Sequence, residues 1–264
     1  MDFISLLSKP SRVVNKVSGS GRRALKRDSR QDASEGTPKR SIPVHTGGLK
    51  MPGLKFERKP WFSELIPTLK QWGQNVMFLG QSNMGKSYFM RKLLSEVKPE
   101  RLVVISNTSA DQYNLEGLKS FKHYSVMPEC IEDMELEPQT YVIIDDIRIM
   151  GLKHGSQREC LYKFFTMYSH HHQLNVFFLS QSFDNMKDMK INANFLYLFR
   201  FTDRSNIKRY LNTLFGGSSV KSALTFKLYE KLLTMCQRPI LAIDCSKNTY
   251  STYCDGESNK VNFE

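Results

Sequence analysis

No stretch of the chain approaches the roughly 18 consecutive apolar residues that a membrane-spanning helix needs, so no membrane partner is expected. There is no C-x-x-C pair either. The five cysteines, Cys130, Cys160, Cys236, Cys245 and Cys254, are odd in number and far apart. Neither a disulfide framework nor a tight zinc site is expected of them, and they read as idle or buried thiols in a reducing compartment. The start, MDFISLLSKP, puts its acid before its short apolar patch and has no basic leader or small-residue cleavage site. It does not read as a secretory signal, and the protein is expected to stay inside a cell.

What is present is a soluble globular composition of 264 residues, 40% apolar and 24% charged, enough for one domain plus a tail. The formal charge of +12 is unevenly placed: residues 1–50 hold eleven Lys and Arg against four Asp and Glu, leaving +5 for the other 214. That stretch is rich in Ser, Gly, Arg and Lys and nearly free of apolar residues after Leu25. It cannot offset the entropy of ordering, so residues 1–50 are expected to form a disordered basic tail and residues 51–264 the folded domain. Its clusters, Arg22, Arg23, Lys26 and Arg27, then Lys39 and Arg40, suit nuclear import, contact with nucleic acid, or simple solubility. The nucleus is the favoured location on this reading. Phe3, Ile4, Leu6, Leu7, Val13, Val14 and Val17 can line a short amphipathic helix.

From residue 50 onward, apolar runs of strand length occur at 76–80, 101–106, 141–145, 175–180 and 195–201. Helical spacing falls between them. Phe89, Leu93 and Val97 recur every four residues, and Cys160, Leu161, Phe164, Phe165 and Tyr168 make a stripe before the fourth run. Alternation of this kind predicts an α/β fold, a mainly parallel sheet with helices on both faces. Ligands of such sheets bind at the carboxyl ends of the strands.

The sharpest motif lies at such an end. Gly80, Gln81, Ser82, Asn83, Met84, Gly85, Lys86 and Ser87 satisfy G-x-x-x-x-G-K-[ST] between a strand and a helical stripe. Glycines let backbone N–H groups wrap a phosphate, and the helix start adds partial positive charge. Lys86 is expected to reach the β and γ phosphates and Ser87 to ligate Mg²⁺. About 55 residues downstream, YVIIDDI ends a strand in Asp145, expected to hold the Mg²⁺ shell, and Asp146, expected to polarise an attacking water. NVFFLSQSF carries Gln181 at its polar tip, placed to sense a γ phosphate or orient water. It is expected to lie on an extra strand between those of the other two motifs. No N-K-x-D guanine reader is present, which favours ATP. No Arg-rich lid follows Gly217, which disfavours a small-molecule kinase.

Over residues 74–216 the chain resembles the viral genome-packaging ATPases of the FtsK/HerA superfamily, in the poxvirus-like branch shared with polinton-like and adintovirus elements. The resemblance rests on GQSNMGKS, VIIDD, FFTMYSHHHQLN, VFFLSQSF and INANFLYLFRFTDRSNIKRYLNTLF in register. A histidine cluster before the glutamine strand and an N-A-x-x-x-x-x-F segment after it add specificity. The chain departs in having Ser169 where many members place an Arg before the paired histidines, and Asp146 where many motors place Glu.

The resemblance implies a RecA-like P-loop ATPase using ATP and Mg²⁺, assembled as a homo-oligomeric ring that translocates double-stranded DNA into a capsid, with a capsid or portal protein as partner. It implies Lys86, Asp146 and Gln181 as catalytic and Ser87 and Asp145 as metal ligands. A helicase or remodeller, and a nucleotide-regulated scaffold, are the alternatives. Arg200 and Arg204 are candidates for a finger acting on the neighbouring subunit. His170, His171 and His172 read either as a partner contact or as a solvated helix end, and the basic loop 147–157 as a grip on DNA in the channel.

Overall fold

The computed structural model describes residues 54–182, 189, 192–254 and 256–263. The expectations for residues 1–50, including the amphipathic helix and the basic clusters, lie outside the described residues.

Among the described residues ten strands form one sheet, β1 (Leu54–Arg58), β2 (Asn75–Leu79), β3 (Arg101–Ser106), β4 (Ser120–Tyr124), β5 (Tyr141–Asp145), β6 (Asn175–Ser180), β7 (Phe195–Leu198), β8 (Ile240–Asp244), β9 (Thr249–Cys254) and β10 (Glu257–Phe263). Their spatial order is β1-β10-β9-β8-β7-β2-β6-β5-β3-β4. The six from β7 to β4 are all parallel. The four on the other side join through antiparallel pairs. The parallel core therefore agrees with the alternation in the sequence, and the antiparallel half is an extension built by β8, β9 and β10 from the last quarter of the chain, with β1 added at its outer edge.

The apolar runs are continuous because their strands are buried on both faces. In β2, Met77 and Leu79 face one layer and Val76 and Phe78 the other; in β5 the division is Val142 and Ile144 against Tyr141 and Ile143. Helices α1 (Leu65–Leu69) and α2 (Lys86–Val97) cover the second layer, with Leu65, Leu69, Phe89, Met90, Leu93 and Leu94 buried. The first is covered by α3 (Ser156–Lys163), a π-helical turn over Phe164–Tyr168, α4 (Ser169–His171), α5 (Arg204–Leu214) and α6 (Ser219–Met235).

The π turn moves the stripe around the helix, so Cys160, Leu161, Phe164, Phe165 and Tyr168 all stay buried. Phe165's carbonyl accepts from Asn75 Nδ2 at 2.8 Å, and Asn75 N–H donates to Asn194 Oδ1 at 2.7 Å. Asn175 donates to the Leu69 carbonyl at 2.8 Å. Two buried amides, Asn75 and Asn175, and the half-buried Asn194 thus tie the amino-terminal ends of β2, β6 and β7 to the helices and connections around them.

One expectation fails. Cys236, just past α6, and Cys254, at the end of β9, form a disulfide with Cα atoms 5.6 Å apart. The antiparallel extension brings together two thiols 18 residues apart that spacing alone left unrelated.

Phe89 is 1% exposed, with ring centroids 4.8 Å from Phe62, 5.1 Å from Tyr253 and 5.3 Å from Tyr197. It ties the helix behind the phosphate loop to the antiparallel extension. Phe89→Ala is expected to cost about 3–5 kcal/mol in denaturant unfolding, the usual range for emptying a core aromatic site.

Candidate functional site

Parallel register brings four strand ends into one row: Leu79 pairs with Ser180, Leu179 with Asp145, and Asp145 with Ser106. The residues that follow, Gly80, Gln181, Asp146 and Asn107, therefore emerge side by side at the carboxyl edge. β6 lies between β2 and β5, the arrangement expected from its polar tip.

The loop from Gly80 to Ser87 is held from below. Gly80 N–H donates to the Ser180 carbonyl at 3.1 Å and Gln81 N–H to the Arg200 carbonyl at 3.1 Å. A Cβ on Gly80 would lie 2.4 Å from Phe199 Cβ, so no larger residue fits against the end of β7. Gly85 has φ +90°, which L side chains rarely adopt, and it opens α2 directly into Lys86. Lys86 Nζ donates to the carbonyls of Gly80 at 2.7 Å and Gln81 at 2.8 Å. Burial pushes its pKa down from the ordinary lysine value, against the pull of Asp145 and Asp146.

Asp145 is 6% exposed, and its Oδ2 accepts from Ser87 Oγ at 3.2 Å and Tyr113 OH at 2.5 Å. Burial raises its pKa, with Asp146 adding to the effect. The hydrogen bonds from Tyr113 and Ser87, and the charge of Lys86, oppose it. Burial and the adjoining carboxylate raise the Tyr113 pKa still more strongly, which keeps its hydroxyl a donor. Asp146 turns into the left-handed region at φ 57°, tolerable for Asp. Its Oδ1 accepts from Gln181 Nε2 at 2.7 Å, while Gln181 Oε1 accepts from Ser82 Oγ at 2.8 Å. One glutamine thus bridges the phosphate loop and the second carboxylate. The cleft over this row, about 530 Å³, reaches from Asp145 and Asp146 past Lys86 to Tyr88 and Arg238.

Other sequence candidates sit elsewhere. Arg200 is committed to the fold: its Nη2 donates to the carbonyls of Leu233 at 3.1 Å and Cys236 at 2.9 Å, capping the end of α6. That removes it as a finger reaching another subunit. Arg204 is exposed and faces Glu230 at 3.3 Å. His170, His171 and His172 are exposed and precede the start of β6, at the opposite end of the sheet from Gln181. His172 stacks on Tyr168 with centroids 4.5 Å apart. In the segment 147–157, Ile147 and Ile149 are buried, and the exposed basic groups are Arg148, Lys153, which pairs with Glu129, and His154. Tyr113 and Arg238 were missed. No motif marks either, because Tyr113 arrives from a short 3₁₀ turn and Arg238 from the antiparallel extension.

No protein family and no curated protein matches the chain. Among solved structures, it is similar to the genome packaging NTPase B204 of Sulfolobus turreted icosahedral virus 2 in complex with ATP-gammaS. The identity is 17% over 68% of this chain and 96% of that one, with a TM-score of 0.48. The DNA-packaging ATPase B204 of Sulfolobus turreted icosahedral virus is 12% identical over 69% of this chain and 97% of that one, with a TM-score of 0.48. The pCW3 conjugation coupling protein TcpA with ATPgS is 12% identical over 80% and 66%, with a TM-score of 0.42.

Gly80→Ala is expected to lower unfolding free energy by about 1–3 kcal/mol through overpacking. Gly151→Ala serves as the control, since nothing lies within 4 Å of its added Cβ. Thermal melts of the two variants check the contrast.

Proposed function

We propose that residues 51–264 form an ATP-hydrolysing motor domain that moves double-stranded DNA into a viral capsid as a homo-oligomeric ring, with residues 1–50 as its basic tail. The observation that carries the nucleotide reading is the row at the carboxyl edge: the phosphate loop, the carboxylate pair and a glutamine joined to both by hydrogen bonds. The DNA and capsid parts rest on the sequence resemblance and on the basic charge.

Within this reading, loop N–H groups and Lys86 bind the β and γ phosphates. On binding, Lys86 exchanges its contacts with the Gly80 and Gln81 carbonyls for phosphate oxygens, a charge-assisted replacement. Asp146 orients a water for in-line attack and accepts its proton. Gln181 couples the two, because any shift of Ser82 about a γ phosphate pulls on the side chain that holds Asp146.

Ser87 Oγ and Asp145 Oδ2 are hard oxygen donors 3.2 Å apart, a donor set that fits Mg²⁺. Among the described residues no group of three or more His, Cys, Asp or Glu can hold an ion. Mg²⁺ bound by one carboxylate, one hydroxyl and substrate phosphates needs no such cage. When bound, such an ion would neutralise phosphate charge and favour the Asp145 carboxylate against the burial that raises its pKa. No helix among the described residues is long and apolar enough to cross a membrane.

Hydrolysis by the purified protein, with and without long duplex DNA across a salt series, tests this reading. Duplex DNA is expected to stimulate turnover, and salt to weaken the stimulation because the contacts are to phosphates. Lys86→Ala and Asp146→Asn are expected to abolish it, the second by about 10²–10⁴-fold, the range of a lost general base. ATP binding without turnover in any condition would point to a scaffold instead, and strand separation on forked duplexes to a helicase. For the tail, a fusion of residues 1–50 to a reporter is expected to enter the nucleus; cytoplasmic retention would remove the import role.

A further inference from the structure

Arg238 is a cation at the nucleotide cleft that none of the phosphate-loop motifs includes. It stands two residues before β8, and β8 runs antiparallel to β7. Leu241 pairs with Leu198, so the entry to β8 lies at the same carboxyl edge as the exit from β7. The topology thus returns the chain to the phosphate-loop end of the sheet, where Arg238 joins Ser82, Lys86 and Gln181 in lining the cleft.

Its backbone is pinned on both sides. Cys236 is bonded to Cys254, its carbonyl accepts from Arg200, and its N–H donates to Leu232. Pro239 is buried and leads straight into the sheet, with its φ set by the ring. The side chain, by contrast, is exposed and makes no hydrogen bond or ion pair among the described residues. A guanidinium fixed at its base and free at its tip needs little reorganisation to meet an anion.

Position within the row selects which part of the ligand it meets. Asp145 ends β5 with Asp146 just after it, and Gln181 follows β6, both on one side of β2; Arg238 stands just before β8, on the other. Resting on the nucleotide reading above, we propose that Arg238 binds the nucleotide from the side opposite the carboxylates. It contacts the α-phosphate end of the phosphate chain within the same subunit. A γ phosphate held between Lys86 and the carboxylate pair leaves the α phosphate and nucleoside on the Arg238 side. Lys86 and Arg238 are the two cations among the residues lining the cleft, set against two carboxylates.

The test is calorimetric titration of the full chain with ADP and with a non-hydrolysable ATP analogue, in Mg²⁺. Arg238→Ala is expected to raise the dissociation constants of both nucleotides by the same factor, about 10–100-fold, as for a lost charge-assisted hydrogen bond. Arg238→Lys should recover part of the loss. Melting temperature should stay within a degree or two, since the side chain has no intramolecular partner to lose. Unchanged affinity for both nucleotides would overturn the assignment. So would a loss confined to the triphosphate analogue, which would put the guanidinium on the γ phosphate. If wild type binds neither nucleotide, or Lys86→Ala binds both as wild type does, the nucleotide reading itself fails.

Discussion

Everything at the cleft depends on strand register. Leu79, Ser180, Asp145 and Ser106 end four parallel strands in one row. A one-residue slip of any of them would turn its side chains to the opposite face. It would take Asp145 away from Ser87, or Gln181 away from Asp146. Burial on both faces prevents the slip, because Val142 and Ile144 on one layer and Tyr141 and Ile143 on the other each have a helix or aromatic cluster to fill. At the far end, Asn75, Asn175 and Asn194 supply the directional bonds that apolar packing lacks.

The electrostatics follow from where that row sits. Asp145 is buried enough that its charge is disfavoured, yet two hydroxyl donors and an ammonium face it. Lys86 is buried enough that its charge is disfavoured too, yet both carboxylates favour it. Each group is held near its partner at a cost that a phosphate and a divalent ion would relieve. This is the balance expected of a site whose ligand completes its charge pairing.

The antiparallel half of the sheet does more than extend the core. It brings Tyr253 onto Phe89, Arg200 onto the end of α6, and the Cys236–Cys254 bond to the edge where Arg238 enters. The tight packing of Gly80 against Phe199, which leaves no room for a Cβ, sits where the parallel and antiparallel halves meet. The same Phe199 ends the N-A-x-x-x-x-x-F segment, whose Asn192 carbonyl accepts from Asn75.

The phosphate loop, the carboxylate pair and the parallel strands were legible from sequence because each is local. A loop motif needs eight consecutive residues, and a doubly buried strand announces itself by an unbroken apolar run. The place of β6 between β2 and β5 was legible from the polar tip at Gln181 downstream of the carboxylate strand, a pattern spread over three motifs rather than held within one strand. Strands β1, β4, β9 and β10 were not foreseen. Their compositions are mixed or polar, and β10, ESNKVNF, is a strand by virtue of the partners on either side of it. The disulfide, the role of Arg200 at a helix end and the positions of Tyr113 and Arg238 likewise belong to tertiary structure. Each joins residues distant in the chain through the path of intervening elements. Side-chain type determined what those groups could do, and only the three-dimensional fold decided which groups would meet.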